Sequence, residues 1–470
     1  VTELHWWPAH EQAAAIRERR VSSVEVVTHH LDRIDELDDR INAIPVRLPR
    51  EDALAAAHAA DDAVARGDEL GVLHGLPIAV KDLMDVAGLP TTHGFVPFAD
   101  AVAQHDSLIV EYLRRAGAII IGKTNTPESG LGTLTFNSLF GPTRNPYDLT
   151  RNAGGSSGGA GAAVAAGLLP LADGSDSGGS IRYPASFCNL VGLRPSPGRV
   201  VTGRRDNGWD PHGVLGPIAR SARDAGLLLS AISGRDDRAP ISIDQDPAAF
   251  LDLQPGSLRG LRVAWSPTGG GLPIDADVRA VLAGARERLV DEGAVVVDVE
   301  PDFLAAADAP WQVIEMLGFL ASARDFVAEH RDAIRPDLVR NVEEGRALTA
   351  DAIATALGQR TDIYRATAAL LTEFDVLALP ATPVAAPPAD DEWVRSIDGV
   401  QLDRYFLWQK VACRVTVTAH PALSMPAGFT DGGLPVGLQV VGRNRDELNL
   451  LRWAAAFEAA TGYGEQRPGL

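Results

Sequence analysis

Between Gly154 and Pro184 the chain reads GGSSGGAGAAVAAGLLPLADGSDSGGSIRYP, a run of small residues with Gly-Gly-Ser at both ends. A serine hydroxyl becomes a nucleophile once a base takes its proton, and glycine permits tight turns that expose a side chain or a row of amides. The stretch therefore admits three readings: a phosphate cradle, a nucleophile turn, or close packing. Gly117–Thr124, GAIIIGKT, satisfies the pattern G-x-x-x-x-G-K-[ST]. A phosphate loop, however, needs an irregular turn that opens a helix at the Lys-Thr pair, whereas Ala-Ile-Ile-Ile is a strand and Pro127 stands where the helix would run. GGSSGG satisfies G-x-S-x-G twice, centred on Ser156 or Ser157, but the nucleophile elbow requires a strand directly before the serine, and FGPTRNPYDLTRNA is turn-rich. Its partner would be His212, His330 or His420, and each reads by default as a core or surface histidine. A further chemical group lies upstream, where Lys81 ends the apolar run LPIAVKD and so holds an amine in partly apolar surroundings.

The elements that must position these groups follow from periodicity. From Glu11 to about Arg66 the pattern is helical, with SSVEVVTHHLDRIDEL as a capped amphipathic helix and REDALAAAHAADDAVARG ending at Gly67. LPIAVKD, AIIIGKT and LLPLADGSD are short apolar runs bounded by turn residues, separated by the helical SLIVEYLRRAG and SGGAGAAVAAG. Buried strands alternating with helices predict an α/β fold. LRVAWS, a helix, and AVVVDVE continue the pattern; Ala305 to about Thr372 reads as mostly helical; FDVLALPATP, ALSMPAG and PVGLQVVG are strands before a closing helix. The 470 residues carry a formal net charge of -19, which argues against a broad nucleic-acid or anionic-membrane surface. Cys188 and Cys413 are the only cysteines and have no metal-ligand spacing, so they are expected as buried thiols in a reducing compartment. With no secretory apolar run and no membrane span, the expectation is a cytoplasmic protein.

Lys81, Ser156 and Ser180, with the blocks around them, resemble the amidase signature family, whose members hydrolyse amides with a Ser-cisSer-Lys triad. The resemblance covers GLPIAVKDLMDVAGLPTTHG, GAIIIGKTNTPE, FGPTRNP, the small-residue stretch through SFCNLVGLRPSPGRV, and HPALSMPAGFTDGGLPVGLQVVG. It implies a large mixed, mostly parallel central β-sheet covered by helices on both faces. One domain over 1–470 is expected: a helical segment to about 67, a signature core at about 70–235, a divergent substrate-shaping region at about 236–373, and the rest of the core at about 374–470. By resemblance, Ser180 is the nucleophile, Ser156 the bridging serine after a cis peptide bond, and Lys81 the general base. The 24-residue separation from Ser180 selects Ser156 over Ser157, which is left as a neighbour or helix cap. The amides of Ser177, Gly178 and Gly179 are assigned to the oxyanion hole, and Asp176 and Arg182 to a buried ion pair shaping the loop. Thr91, Thr92, Asn125 and Glu128 match family positions near the site.

A free lysine, with a pKa of ~10.4, is almost wholly protonated at pH 7, so acting as a base requires a fall of roughly three pH units, about 4 kcal/mol. Ser156 can accept one hydrogen bond while donating another, which suits it to relay a proton between Ser180 and Lys81. Gly155, Thr133, Trp209 and Phe406 are candidate substrate contacts, and Trp311, Phe319, Phe326 and Trp408 are further aromatics of the divergent segments. Together they favour a small, apolar or aryl amide, with anilides, esters and carbamates open to the same acyl-enzyme chemistry. Arg204 and Arg205 are counter-evidence, since they could bind a carboxylate. Ser177 replaces the usual threonine, and Thr416 and Ala419 replace the common Asn and Gly, which bears on pocket shape. The A subunit of the glutamyl-tRNA amidotransferase is disfavoured because VTGRRDNGWDPHGVLGPIARSARDAG departs from its pattern. Two further readings stay open: an α/β-hydrolase esterase, and a non-catalytic subunit on the same fold. The expected partners are a small amide and water, without cofactor, metal, nucleic acid or membrane, in a monomer or homodimer.

Overall fold

A computed structural model describes residues 3–203 and 207–470 of the chain, so Arg204 and Arg205 lie outside the described residues. Ser22 and Glu25 form a reciprocal cap, the Ser22 Oγ accepting the Glu25 amide and the Glu25 carboxylate accepting the Ser22 amide, which starts the helix Ser23–Ile41. Gly67, at φ 79°, ends the helix Arg50–Arg66, as its place in the sequence predicts. These helices pack apolar faces against the strand Ile119–Thr124 and the helix Gly158–Ala165. Strand Pro77–Lys81 runs parallel to Ile119–Thr124, with Val46–Arg47 antiparallel on the other side. Every residue of both longer strands is buried, which is why they read as continuous apolar runs rather than alternating ones.

The larger sheet has eight strands in the order Val295–Asp298, Arg262–Trp265, Val376–Pro380, Pro435–Val441, Ala422–Phe429, Val191–Arg194, Val214–Ala219 and Leu171–Asp176. It is mixed, as expected, but not mostly parallel. Only the pairs that join Arg262–Trp265 to Val295–Asp298 and to Val376–Pro380 are parallel; the other five neighbouring pairs are antiparallel. A parallel neighbour needs a long crossover, which the helix Ala276–Asp291 supplies, whereas the short turn between Phe429 and Pro435 can only close a hairpin. Alternate residues of the strands enter two cores. Val263, Trp265, Val376 and Ala378 join one with the helices Ala276–Asp291 and Glu447–Thr461, and Ala264, Leu377 and Leu379 join another with the helix Lys410–Val417. Helices therefore cover both faces.

The region read as mostly helical contains Asp308–His330, Pro336–Ala347 and Ala350–Glu373. Among the described residues no helix is long and apolar enough to cross a membrane, and both cysteines are free and buried. The small-residue run proves to be close packing as well as loop. A Cβ on Gly159 would come within 2.3 Å of the Asn125 nitrogen, and one on Gly158 within 2.3 Å of Thr135 Oγ1, so the helix Gly158–Ala165 can approach its neighbours only without side chains.

Candidate active site

The two sheets meet at the end of the strand Pro77–Lys81, where the Lys81 amide donates to Asp173 Oδ1 of strand Leu171–Asp176 at 3.1 Å. The Lys81 side chain is fully buried. Its Nζ reaches Ser156 Oγ at 2.7 Å, Ser157 Oγ at 2.9 Å and Ser175 Oγ at 2.9 Å. Burial pushes the lysine pKa down to about 7, against the opposing pull of Asp173 and Asp176. That is the fall a lysine base needs, and it comes from the amine's removal from water. The peptide bond Gly155–Ser156 is cis. A Cβ on Gly155 would lie 2.9 Å from the Leu134 carbonyl carbon, so this position is filled by backbone packing.

The Ser157 amide donates to the Ser180 carbonyl at 3.1 Å, which ties the two ends of the small-residue stretch together. Ser157 makes no side-chain cap for its helix; its hydroxyl goes to Lys81 instead, correcting the expectation of a helix cap. Ser180, 8% exposed, opens with Ser156, Ser175, Ser177 and Gly178 on a cavity of about 150 Å³. Gly179 sits at φ 107°, and a Cβ there would meet Ala412 and Tyr183 at 2.7 Å. Its amide donates to Asp176 Oδ1 at 3.0 Å rather than into the cavity. The expected oxyanion set of Ser177, Gly178 and Gly179 therefore differs from the observed geometry, because one N–H already serves the loop.

Asp176 is the hub of that loop. Arg182 donates to it from Nε at 2.9 Å and Nη2 at 2.7 Å, Arg194 approaches at 3.3 Å, and the Ile181 amide donates at 3.2 Å. Burial pushes its carboxyl up, but the Arg182 and Arg194 guanidiniums overcome this and hold it far below the usual carboxylate range. The buried ion pair is thus formed as read. Thr416, in place of the common Asn, accepts from Arg182 Nη2 at 2.9 Å; neither it nor Ala419 lines the cavity.

The far wall is one helix face. Trp311, Ile314, Glu315, Gly318, Phe319 and Ser322 recur at spacings of three and four along Asp308–His330, and all line the cavity. Of the aromatics singled out from the sequence, Trp311 and Phe319 are on this wall. Trp209 is 71% exposed and outside the lining, and Phe406 stands behind the wall, its ring 5.4 Å from Trp311. Thr133 and Gly155 are both buried and outside the lining. None of these four sequence candidates for substrate contact lines the cavity, because residue type does not tell an inward side chain from an outward one.

His212 does line it, 3% exposed, with Nε2 at 3.1 Å from Glu315 Oε2. Among the described residues no hydrogen bond joins His212, His330 or His420 to Ser180. Lys123, the lysine of the nucleotide-loop pattern, is consumed in a buried ion pair with Asp82 at 2.9 Å. Thr91 and Thr92 bond within the same cluster, while Asn125 bonds Thr143 and Glu128 accepts from Ser138, so these four matched positions act as scaffold. Ser175 and Asp173 were not singled out from the sequence. Their two-residue spacing on a strand puts both on one face, but only the structure shows that Lys81 lies against it. Among the described residues no cluster of three metal-ligating side chains occurs.

Residues 25–451 match the family model described as Amidase. Over 471 residues, covering 99% of this chain and 98% of the relative, the sequence is 37% identical to an acylamidase of Rhodococcus erythropolis. It is 36% identical over 499 residues, with 100% of both chains covered, to the A subunit of the glutamyl-tRNA(Gln) amidotransferase of Carboxydothermus hydrogenoformans. The fold matches the crystal structure of a bacterial aryl acylamidase belonging to the amidase signature enzymes with a TM-score of 0.90 and 30% identity, covering 98% of each chain.

Proposed function

The chain belongs to the amidase family and is an amide-hydrolysing enzyme, and from that premise we propose that it cleaves small apolar or aryl amides through an acyl-enzyme on Ser180. One observation carries this reading: a buried lysine with its pKa lowered to about 7 is bonded to Ser156, beside a Ser180 that opens on the cavity. Ser180 Oγ attacks the carbonyl carbon while its proton passes to Ser156 Oγ, whose own proton moves to Lys81 Nζ. In this reading the amides of Ser177 and Gly178, beside Ser180 on the cavity, receive the oxyanion. The C–N bond then breaks as the Lys81 proton returns through Ser156 to the leaving nitrogen. Water, deprotonated by the same relay, attacks the acyl carbon, and the acid leaves as Ser180 regains its proton. Esters, anilides and carbamates fit the same steps.

The support for this substrate class is the wall, where Trp311, Ile314 and Phe319 line the cavity shared with Ser180, alongside the polar Asp210, His212 and Glu315. It is tested by assaying purified enzyme on a panel of anilides, aliphatic amides, esters and carbamates, with glutamine included. Arylamine release from anilides above all other activities is the expected result. Glutamine is the arm that serves a second reading, favoured by the likeness to the amidotransferase subunit: ammonia release from glutamine with no anilide turnover would replace the first reading. Phe319→Ala removes one aromatic contact and is expected to lower kcat/KM for anilides about tenfold while sparing small aliphatic amides.

The lysine also fixes the pH dependence. Only the unprotonated amine can take the serine proton, and below its pKa the ammonium predominates. The kcat/KM profile is therefore expected to rise with pH through an inflection near the lysine pKa of about 7 and to level off on the alkaline side. A plateau already reached near pH 5 would contradict a lysine base.

A further inference from the structure

Asp173 is fully buried two residues before Ser175 on the strand Leu171–Asp176, and the two share Lys81 between them. Asp173 Oδ1 accepts the lysine's backbone amide, and Ser175 Oγ meets its amine. Asp173 Oδ2 has no hydrogen-bond donor among the described residues. A buried carboxylate in that position needs a nearby positive charge. The charged neighbours are accounted for one by one. Asp82 holds Lys123 at 2.9 Å, Asp176 is clasped by Arg182 at 2.7 Å and Arg194 at 3.3 Å, and His93 faces the Asp82–Lys123 pair, its pKa lowered chiefly by burial. Among the described residues Asp173 forms no ion pair, and Lys81 is the neighbouring cation that no other carboxylate holds.

We propose that Asp173 is the counter-charge of Lys81, a positioning residue that fixes the strand end carrying the lysine and sets the pH at which the lysine can accept a proton. The proposal rests on the reading of Lys81 as the base. When Ser180 attacks, a proton arrives at Lys81 Nζ and an ammonium forms away from water, where a carboxylate stabilises it strongly. Burial lowers the basicity of the amine; Asp173, with Asp176, opposes that fall, and the balance lies at about 7. Burial raises the Asp173 carboxyl itself to about 6, so Asp173 is ionised over the range in which Lys81 is called on to take a proton.

Asp173→Asn keeps an oxygen for the Lys81 amide and removes the charge. Losing a nearby negative charge lowers the lysine pKa, so the acidic limb of kcat/KM is expected to move to lower pH by roughly one unit, with a plateau a few-fold lower because the base is weaker. Asp173→Glu retains the charge and is expected to return the limb toward the wild-type position. The same limb is read without any amide from the rate at which a fluorophosphonate phosphonylates Ser180 Oγ and releases fluoride. Should the Asn variant not fold, Asp173→Ser is expected to give the same shift. A limb within about 0.2 of a pH unit of wild type in a folded uncharged variant, or one moved to higher pH, overturns the proposal. Labelling of Lys81→Met at the wild-type rate would instead remove the base reading, and the proposal with it.

Discussion

Replacing Lys81 by methionine is expected to lower kcat by about 10³- to 10⁴-fold on any amide the enzyme turns over, without loss of the folded state. Methionine keeps the unbranched stem and most of the volume, so the buried site stays filled and the principal change is the missing amine. Ser156, Ser157 and Ser175 then lose a common partner, and Ser156 has nowhere to send the proton it takes from Ser180. Ser180→Ala is expected to fall by at least as much, and the double variant no further, because residues of one proton path fail together. Steady-state turnover with a thermal melt for each variant checks this. His420→Ala is the control: His420 is buried with Nδ1 at 2.8 Å from the Thr418 carbonyl, away from the cavity lining. A histidine variant that abolishes turnover while Lys81→Met retains it would reverse the assignment.

Lys81, Ser156 and Ser180 were singled out by the resemblance to the amidase signature family; local pattern alone supplied the elements that carry them: an apolar strand, an alanine-rich helix, and a glycine turn after a strand. Local pattern also placed the strand and helix before Gly117, the capped helix from Ser23, and the helical region that supplies the wall. What stayed hidden depends on contacts between elements distant in sequence. Asp173 matters because two sheets meet at Lys81, and nothing within LLPLADGSD announces that meeting. Ser157 looked like a cap because its role depends on a lysine 76 residues upstream. The wall helix was open to detection, since Trp311, Ile314, Glu315, Gly318, Phe319 and Ser322 keep helical spacing, but the stripe is interrupted by a carboxylate and does not read as an apolar face. Sheet direction failed for a related reason: a strand's own sequence does not record how its neighbour runs, and only connection lengths do.

Arg182→Met is expected to destabilise the protein by about 3–5 kcal/mol, the effect of stranding one partner of a buried ion pair. Arg182 and Asp176 are both fully buried. The guanidinium also donates to the Ala412 carbonyl at 3.0 Å and to Thr416 at 2.9 Å, and it reaches Gln439, so its loss takes a charged donor from three further acceptors. Asp176 would keep Arg194 and the amides of Gly179 and Ile181, which is why the fold should survive with a weakened loop. The sign of the pH dependence follows from the depressed carboxyl. In the wild type the ionised, clasped Asp176 contributes stability above the unfolded carboxylate pKa of ~3.9, and that contribution disappears as pH falls through the folded value. Without Arg182 the depression shrinks, so the deficit should be greatest near neutral pH and narrow under acid conditions, as urea unfolding at several pH values would register. Asp176→Asn added to Arg182→Met removes the stranded charge and is expected to recover part of the loss while leaving turnover low, because Gly179 and Ile181 lose a charged anchor beside Ser180. If the double variant is no more stable than Arg182→Met alone, the stranded charge is not the cause, and the lost contacts to Ala412, Thr416 and Gln439 must account for the whole effect.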